Sequence, residues 1–147
     1  MSDFLISRNY KVYYTDTDSI VVEKPLDSKL IGNELGQLKL EHEIKKGVFL
    51  SPKVYSLVTK EGKVVTKIKG SKDNSLPMEA FESLLMKNSS LDLQQQKWFR
   101  SLTTAQIEIK DQAYNLKATD NKRQFVHDNK GIAIKTKSFI INNKDIV

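Results

Sequence analysis

Two short β-favouring runs divided by an acidic turn constrain this chain more than any other feature in it. From Lys11 to Glu23 it reads KVYYTDTDSIVVE, in which Val12 to Tyr14 and Ile20 to Val22 flank a polar segment. β-Branched and aromatic side chains suit a pleated, half-buried strand, whereas Asp, Thr and Ser bond back to nearby amides and turn the chain. The spacing predicts a β-hairpin with Asp16 and Asp18 at its tip. Alternation along the strands can direct both carboxylates to one face. Like charges held that close repel each other, and a hard divalent cation beside them lowers the cost. Mg²⁺ is the usual ion where substrate phosphates complete the oxygen shell, and in two-metal phosphoryl transfer such ions serve both the attacking and the leaving oxygen. A D-T-D triplet by itself is more often plain turn chemistry, so the three residues alone leave both readings open.

The rest of the chain reads as sheet with little helix. After Pro25, DSKLIGNELG offers Asp27 as a cap, Leu30 and Ile31 as an apolar pair and Gly36 as a stop, which predicts a short helix. QLKLEHEI alternates as a strand, and GVFLSPKVYSLVT and KVVTKIKG also read as strands, with Glu61-Gly62 as a turn between the last two. The polar segment GSKDNSLP marks a change of character, because MEAFESLLMK after Pro77 places Phe81, Leu84 and Leu85 at helical spacing. SSLDLQQQKWFRSL fits either helix or loop, with Trp98 and Phe99 expected in the core. AQIEIKDQAYNLKA and GIAIKTKSFII alternate as strands, joined by a polar connection or hairpin in which Asn129 and Gly131 form turns. The expected fold class is α+β, divided into residues 1–72 and 73–147.

Composition excludes several kinds of chemistry. The 147 residues contain no Cys and only two His, His42 and His127, so disulfides, thiolate chemistry and His- or Cys-based zinc sites are out of reach. Any metal must sit on carboxylates. Against 18 Asp+Glu stand 24 Lys+Arg, a formal charge of +6 that favours an anionic partner. Only Arg8, Arg100 and Arg123 are Arg, so phosphate contact is expected rather than base reading by guanidinium forks. No apolar run reaches the roughly 20 residues needed to span a bilayer, and MSDFLISRNY lacks the basic start and apolar core of a signal peptide. The frequent Lys, Asn and Ile suggest an AT-rich coding genome, as in many mitochondrial or plasmid genes.

Tyr14-Thr15-Asp16-Thr17-Asp18-Ser19 resembles the Y-x-D-T-D-S motif of the family B DNA polymerase palm. The resemblance implies that Asp18 is the principal metal ligand with Asp16 in support, and that Tyr14 and Thr17 shape the hairpin near the primer end. ELGQLKLEHEIKKGVFLSPKVYSLV, from Glu34 to Val58, resembles the family segment that leads to the K-x-Y motif, matched by Lys53 and Tyr55. At alternate strand positions those two would point the same way and grip a primer-terminus phosphate and its sugar. KIKG resembles the lysine-bearing strand end of protein-primed members, which puts Lys67 among the DNA contacts, although a solvated strand edge would look the same. WFRSLTTAQIEIKDQAYNLKATDNKRQFV is similar to the C-terminal region of linear-plasmid polymerases of fungal and plant mitochondria, where Lys117, Lys122 and Arg123 could contact duplex phosphates or simply form a solvated turn. Together these strings imply an incomplete palm, an antiparallel sheet with its catalytic hairpin, followed by a small thumb.

The sequence does not contain the D-x-x-S-L-Y-P palm motif or the K-x-x-x-N-S-x-Y-G fingers motif that the family uses to complete the metal site and bind the triphosphate. These residues alone are therefore expected not to polymerise DNA. A complementary polymerase segment would supply the missing groups and Mg²⁺ would then bind. The alternatives are a shortened polymerase and a polymerase-derived subunit recruited into a mitochondrial assembly such as the mitoribosome, where it would meet RNA rather than DNA. An open palm edge also calls for a protein partner to cover it.

Overall fold

Four antiparallel sheets carry the chain in a computed structural model that describes residues 9–71, 75–120 and 123–138. The MSDFLISR start and Lys122 lie outside the described residues. The first is the expected hairpin, β1 (Val12–Asp16) with β2 (Ser19–Val22), in which Asp16 faces Ser19 across a two-residue turn of Thr17 and Asp18. The second is a three-stranded meander of β3 (Ile44–Ser51), β4 (Val54–Thr59) and β5 (Val64–Ile68), with β4 in the middle. One helix follows, α1 (Met78–Ser83). Two further hairpins complete the described chain: β6 (Leu91–Ser101) with β7 (Gln106–Leu116), and β8 (Arg123–His127) with β9 (Ala133–Ser138). No helix among the described residues is long and apolar enough to cross a membrane.

The core forms on one face of the meander. Val48, Leu50, Val54 and Ile68 from the sheet meet Met78, Phe81 and Leu84 from α1 and its C-terminal end, and Leu116 from the end of β7. Leu91, Leu93 and Tyr114, at the base of the β6–β7 arm, pack against the same cluster. Phe81 has 0% of its surface exposed. The buried hydroxyls of Ser56 and Thr66 lie 3.1 Å apart as cross-strand partners, and Thr66 donates onward to the Leu76 carbonyl at 3.1 Å. That chain of bonds leaves no hydroxyl unsatisfied under the sheet and ties down the segment entering α1. Lys46 and Glu82 add an ion pair between β3 and α1.

Several elements differ from the sequence expectation. DSKLIGNELG gives only a single 3-10 turn, Ser28–Leu30, because Asp27 caps it at the Lys29 amide but the next residue, Ile31, is already extended. QLKLEHEI contributes one isolated bridge, Ile31 to Leu38, and ladder pairing begins only at Ile44. GVFLSPKVYSLVT is split into β3 and β4, since Pro52 cannot donate to a ladder and Lys53 takes a left-handed φ of 63°. SSLDLQQQKWFRSL is neither helix nor loop but β6, paired with β7 at every position from Leu91–Leu116 to Ser101–Gln106. Trp98 and Phe99 are not core residues: they lie on the outer half of that arm, 69% and 41% exposed. The inward face of β6 buries its apolar side chains only at its base, where the meander and α1 are within reach.

Replacing Phe81 with Ala should cost about 3–5 kcal/mol in a urea unfolding titration, as for other large side chains lost from a closed core. Replacing Trp98 with Ala should stay within about 0.5 kcal/mol.

Candidate functional site

The acidic hairpin and the meander share no backbone ladder, so the hairpin is held to the sheet through its side chains. The Tyr14 ring stacks on Phe49 with centroids 4.8 Å apart and an interplanar angle of 17°, and tilts against Tyr55 at 5.3 Å. Each such pair adds about 0.5–1.5 kcal/mol beyond the area it buries. Phe49 can lie flat there because position 47 is Gly. A Cβ on Gly47 would meet Leu57 Cδ2 at 3.0 Å and Phe49 Cε2 at 3.1 Å. At the turn between β3 and β4, the left-handed Lys53 points its backbone N–H at the Tyr14 hydroxyl oxygen, 2.7 Å away. The Lys53 ammonium then reaches Asp16 Oδ1 at 2.6 Å. One residue thus binds the hairpin twice, once through its backbone and once through its charge.

Asp16 ends β1 and also accepts from the Thr17 hydroxyl at 3.2 Å. Thr17 has a φ of 52°, the left-handed conformation that a tight two-residue hairpin turn requires at its first central position. The Ser19 hydroxyl closes the same turn by donating to the Asp16 carbonyl at 3.0 Å. Asp16 lines a cavity of about 320 Å³ with Lys53, Tyr55, Lys67, Ile68 and Lys69. Asp18 is exposed in the turn and is not among the lining residues, yet its negative charge acts on Lys53.

The site favours protonated phenols and a protonated amine. Burial pushes the Tyr14 hydroxyl above its ordinary pKa of 10.0, opposed by the Lys53 amide that bonds to it, and the Asp16 charge adds to the rise. Tyr55 is raised from 10.0 chiefly by burial, then by Tyr14 and Asp16. Lys53 is raised from 10.5 chiefly by its hydrogen bond to Asp16.

The sequence-expected residues are thus partly gathered. Tyr14, Asp16, Lys53, Tyr55 and Lys67 meet, and Thr17 and Asp18 form the adjoining turn. Lys53 is in a turn rather than on a strand with Tyr55, although the two still line one cavity. Lys117 follows β7, exposed and outside the cavity, and Arg123 spends its guanidinium on Thr136, with Nε donating to the hydroxyl at 2.7 Å and an Nη to the carbonyl at 3.1 Å. Lys69 and Phe49 belong to the site as well. KIKG held the signal for Lys69, which is two residues beyond Lys67; nothing in the sequence marked Phe49 as the shelf for Tyr14. The donors at the tip are hard carboxylate oxygens, which fit Mg²⁺ in kind. Among the described residues no cluster of three or more His, Cys, Asp or Glu could hold a metal by itself. The pair therefore fits an ion that takes its remaining ligands from water, phosphates or another segment.

No family model and no solved structure matches the chain. It is similar to a probable DNA polymerase of Podospora anserina, 32% identical over 148 aligned positions that cover 90% of this chain and 12% of that protein. A probable DNA polymerase of Neurospora intermedia is 35% identical over 76% of this chain and 12% of its own length. One of Ascobolus immersus is 35% identical over 100% of this chain and 13% of its own length. The chain spans about an eighth of the length of these relatives, and its similarity is to a segment of these probable DNA polymerases.

All three shifts make the folded site hold protons more tightly than the unfolded chain. Their stabilisation is complete below the unfolded values, 10.0 for the phenols and 10.5 for the amine, and is lost as pH rises through the higher folded values. Stability should therefore fall above about pH 10, and phenolate absorbance should show two late ionisations that vanish in Tyr14→Phe with Tyr55→Phe.

Proposed function

We propose that the chain is the C-terminal palm-and-thumb portion of a protein-primed family B DNA polymerase of the mitochondrial linear-plasmid type. The observation that carries this reading is Asp16, set at the end of a β-hairpin against Lys53, Tyr55 and Lys67 in one cavity. The YTDTDS string and the similarity to fungal probable DNA polymerases support it. Recruitment as a structural subunit of a mitochondrial assembly finds no support in those similarities.

Each residue has a role that follows from its place. Asp16 and Asp18 supply the two hard oxygen donors that would hold Mg²⁺ beside the primer end. When bound, Mg²⁺ offsets their mutual repulsion and supplies the charge that favours attack by the 3′ hydroxyl and departure of pyrophosphate. Lys53 and Lys67 attract the phosphates of the primer strand as point charges without reading bases. Tyr55 offers a neutral phenol beside them, and Tyr14 sets the height of the hairpin over the sheet. The triphosphate clamp and the further carboxylate must come from a complementary polymerase segment.

The 147 residues alone should give no primer extension. Mixed with a segment that carries the other palm Asp and the fingers helix, they should extend a primer in the presence of Mg²⁺, and Asp18→Ala should return extension to background. Extension that survives Asp16→Ala together with Asp18→Ala would remove the reading.

A further inference from the structure

Lys53 and Lys67 are only part of the positive charge near Asp16. In the β4–β5 register Val54 faces Ile68 and Tyr55 faces Lys67, so the next pair outward is Lys53 with Lys69, whose amide donates to the Lys53 carbonyl at 2.9 Å. Lys53, Lys67, Lys69 and Tyr55 line one cavity, with Asp16 as the acidic residue in its wall. Like charges placed across a strand pair repel, and one carboxylate among three ammonium groups leaves a surplus that an anion would offset.

That charge continues onto the β6–β7 arm. The Tyr114 hydroxyl donates to the Lys69 carbonyl at 2.7 Å, and Gln95 Nε2 donates to the Gly70 carbonyl at 3.1 Å, so the arm is fastened where β5 ends. The Lys97 ammonium lies 5.9 Å from the centroid of that same Tyr114 ring. Lys97 also faces Lys110 directly across the arm, a second like-charge pair, and Lys110 is shared with Glu108 at 2.5 Å. Among the described residues no carboxylate forms an ion pair with Lys67, Lys69 or Lys97.

We propose that Lys69 and Lys97 extend the lysine cluster beside Asp16 into a track for the sugar–phosphate backbone of duplex DNA, running from the meander onto the β6–β7 arm. The inference rests on the polymerase reading for its ligand and deepens it by naming which residues hold the strand beyond the primer end. Arg123 does not line the cavity, and its Nε and one Nη donate to Thr136 within the β8–β9 hairpin.

The test is the binding of the full chain to a fluorescein-labelled primer–template duplex, followed by anisotropy over a range of salt concentrations. Each phosphate contact contributes about 0.9 to the slope of log affinity against log salt, so Lys69→Gln with Lys97→Gln should make the slope shallower by about two. Lys63→Gln with Lys135→Gln removes the same charge elsewhere and should leave the slope unchanged. An unaltered slope in the Lys69 and Lys97 variant, an equal fall in the control, or no binding by the wild type would each overturn the track. The first two of these leave the polymerase reading standing, because primer extension and its dependence on Asp16 and Asp18 decide that separately. A slope that falls by two in a chain that never supports extension keeps the track and removes the polymerase reading.

Discussion

The contact of Tyr14 with the turn at Lys53 is the constraint on which the site depends. β1 and β2 satisfy each other's backbone bonds and share no ladder with the meander, so nothing in the sheet itself fixes where Asp16 stands. The phenol oxygen of Tyr14 takes the Lys53 amide, its ring takes the Phe49 face, and both contacts set the hairpin at one height and one angle. The ion pair of Lys53 with Asp16 follows from that placement and could not create it, because an ammonium that is half exposed is screened by water and held by a long, flexible stem.

The meander serves two purposes through its two faces. Val48, Leu50, Val54 and Ile68 point inward to Phe81 and the base of the β6–β7 arm, and fix the register of β4 and β5. A slip of one residue would turn those side chains outward and bury Tyr55 and Lys67, so the packing of the core specifies the composition of the cavity on the far side. Lys53 can adopt its left-handed φ for the same reason: the strands on either side of Pro52 and Lys53 are locked by buried Leu50 and Val54, and the turn takes up the strain.

What the sequence allowed to be read followed from how local each cause was. The β1–β2 hairpin was legible because its two β-branched runs and its polar turn lie within thirteen residues, Lys11 to Glu23, and need no distant partner to be recognised. Reading GVFLSPKVYSLVT as strand puts Lys53 and Tyr55 at alternate positions, whereas the ladder pairs Ser51 with Val54 and leaves Pro52 and Lys53 as the turn. Residue type alone puts Trp98 in the core, yet the arm outruns the surface available to cover it: of its eleven paired positions only those at the base reach the core cluster, and apolar burial stops after Leu93 and Tyr114. The meeting of Lys69 with the arm was not legible at all, since it depends on a phenol 45 residues away reaching a backbone carbonyl.

Net charge explains little about this surface, and the placement of charge explains more. Over the whole chain +6 is a mild excess, but three lysines share one cavity with Asp16, while Lys60 is matched by Glu43 and Lys46 by Glu82 elsewhere. Asp16 is therefore balanced locally by Lys53, and Asp18, outside the cavity, meets water. A hard cation at the tip has to share Asp16 with that ammonium, whereas a phosphate arriving in the cavity offers Lys53 a second anion. Cation and phosphate thus relieve opposite halves of the same ion pair, and a ligand bringing both satisfies the site better than either does alone.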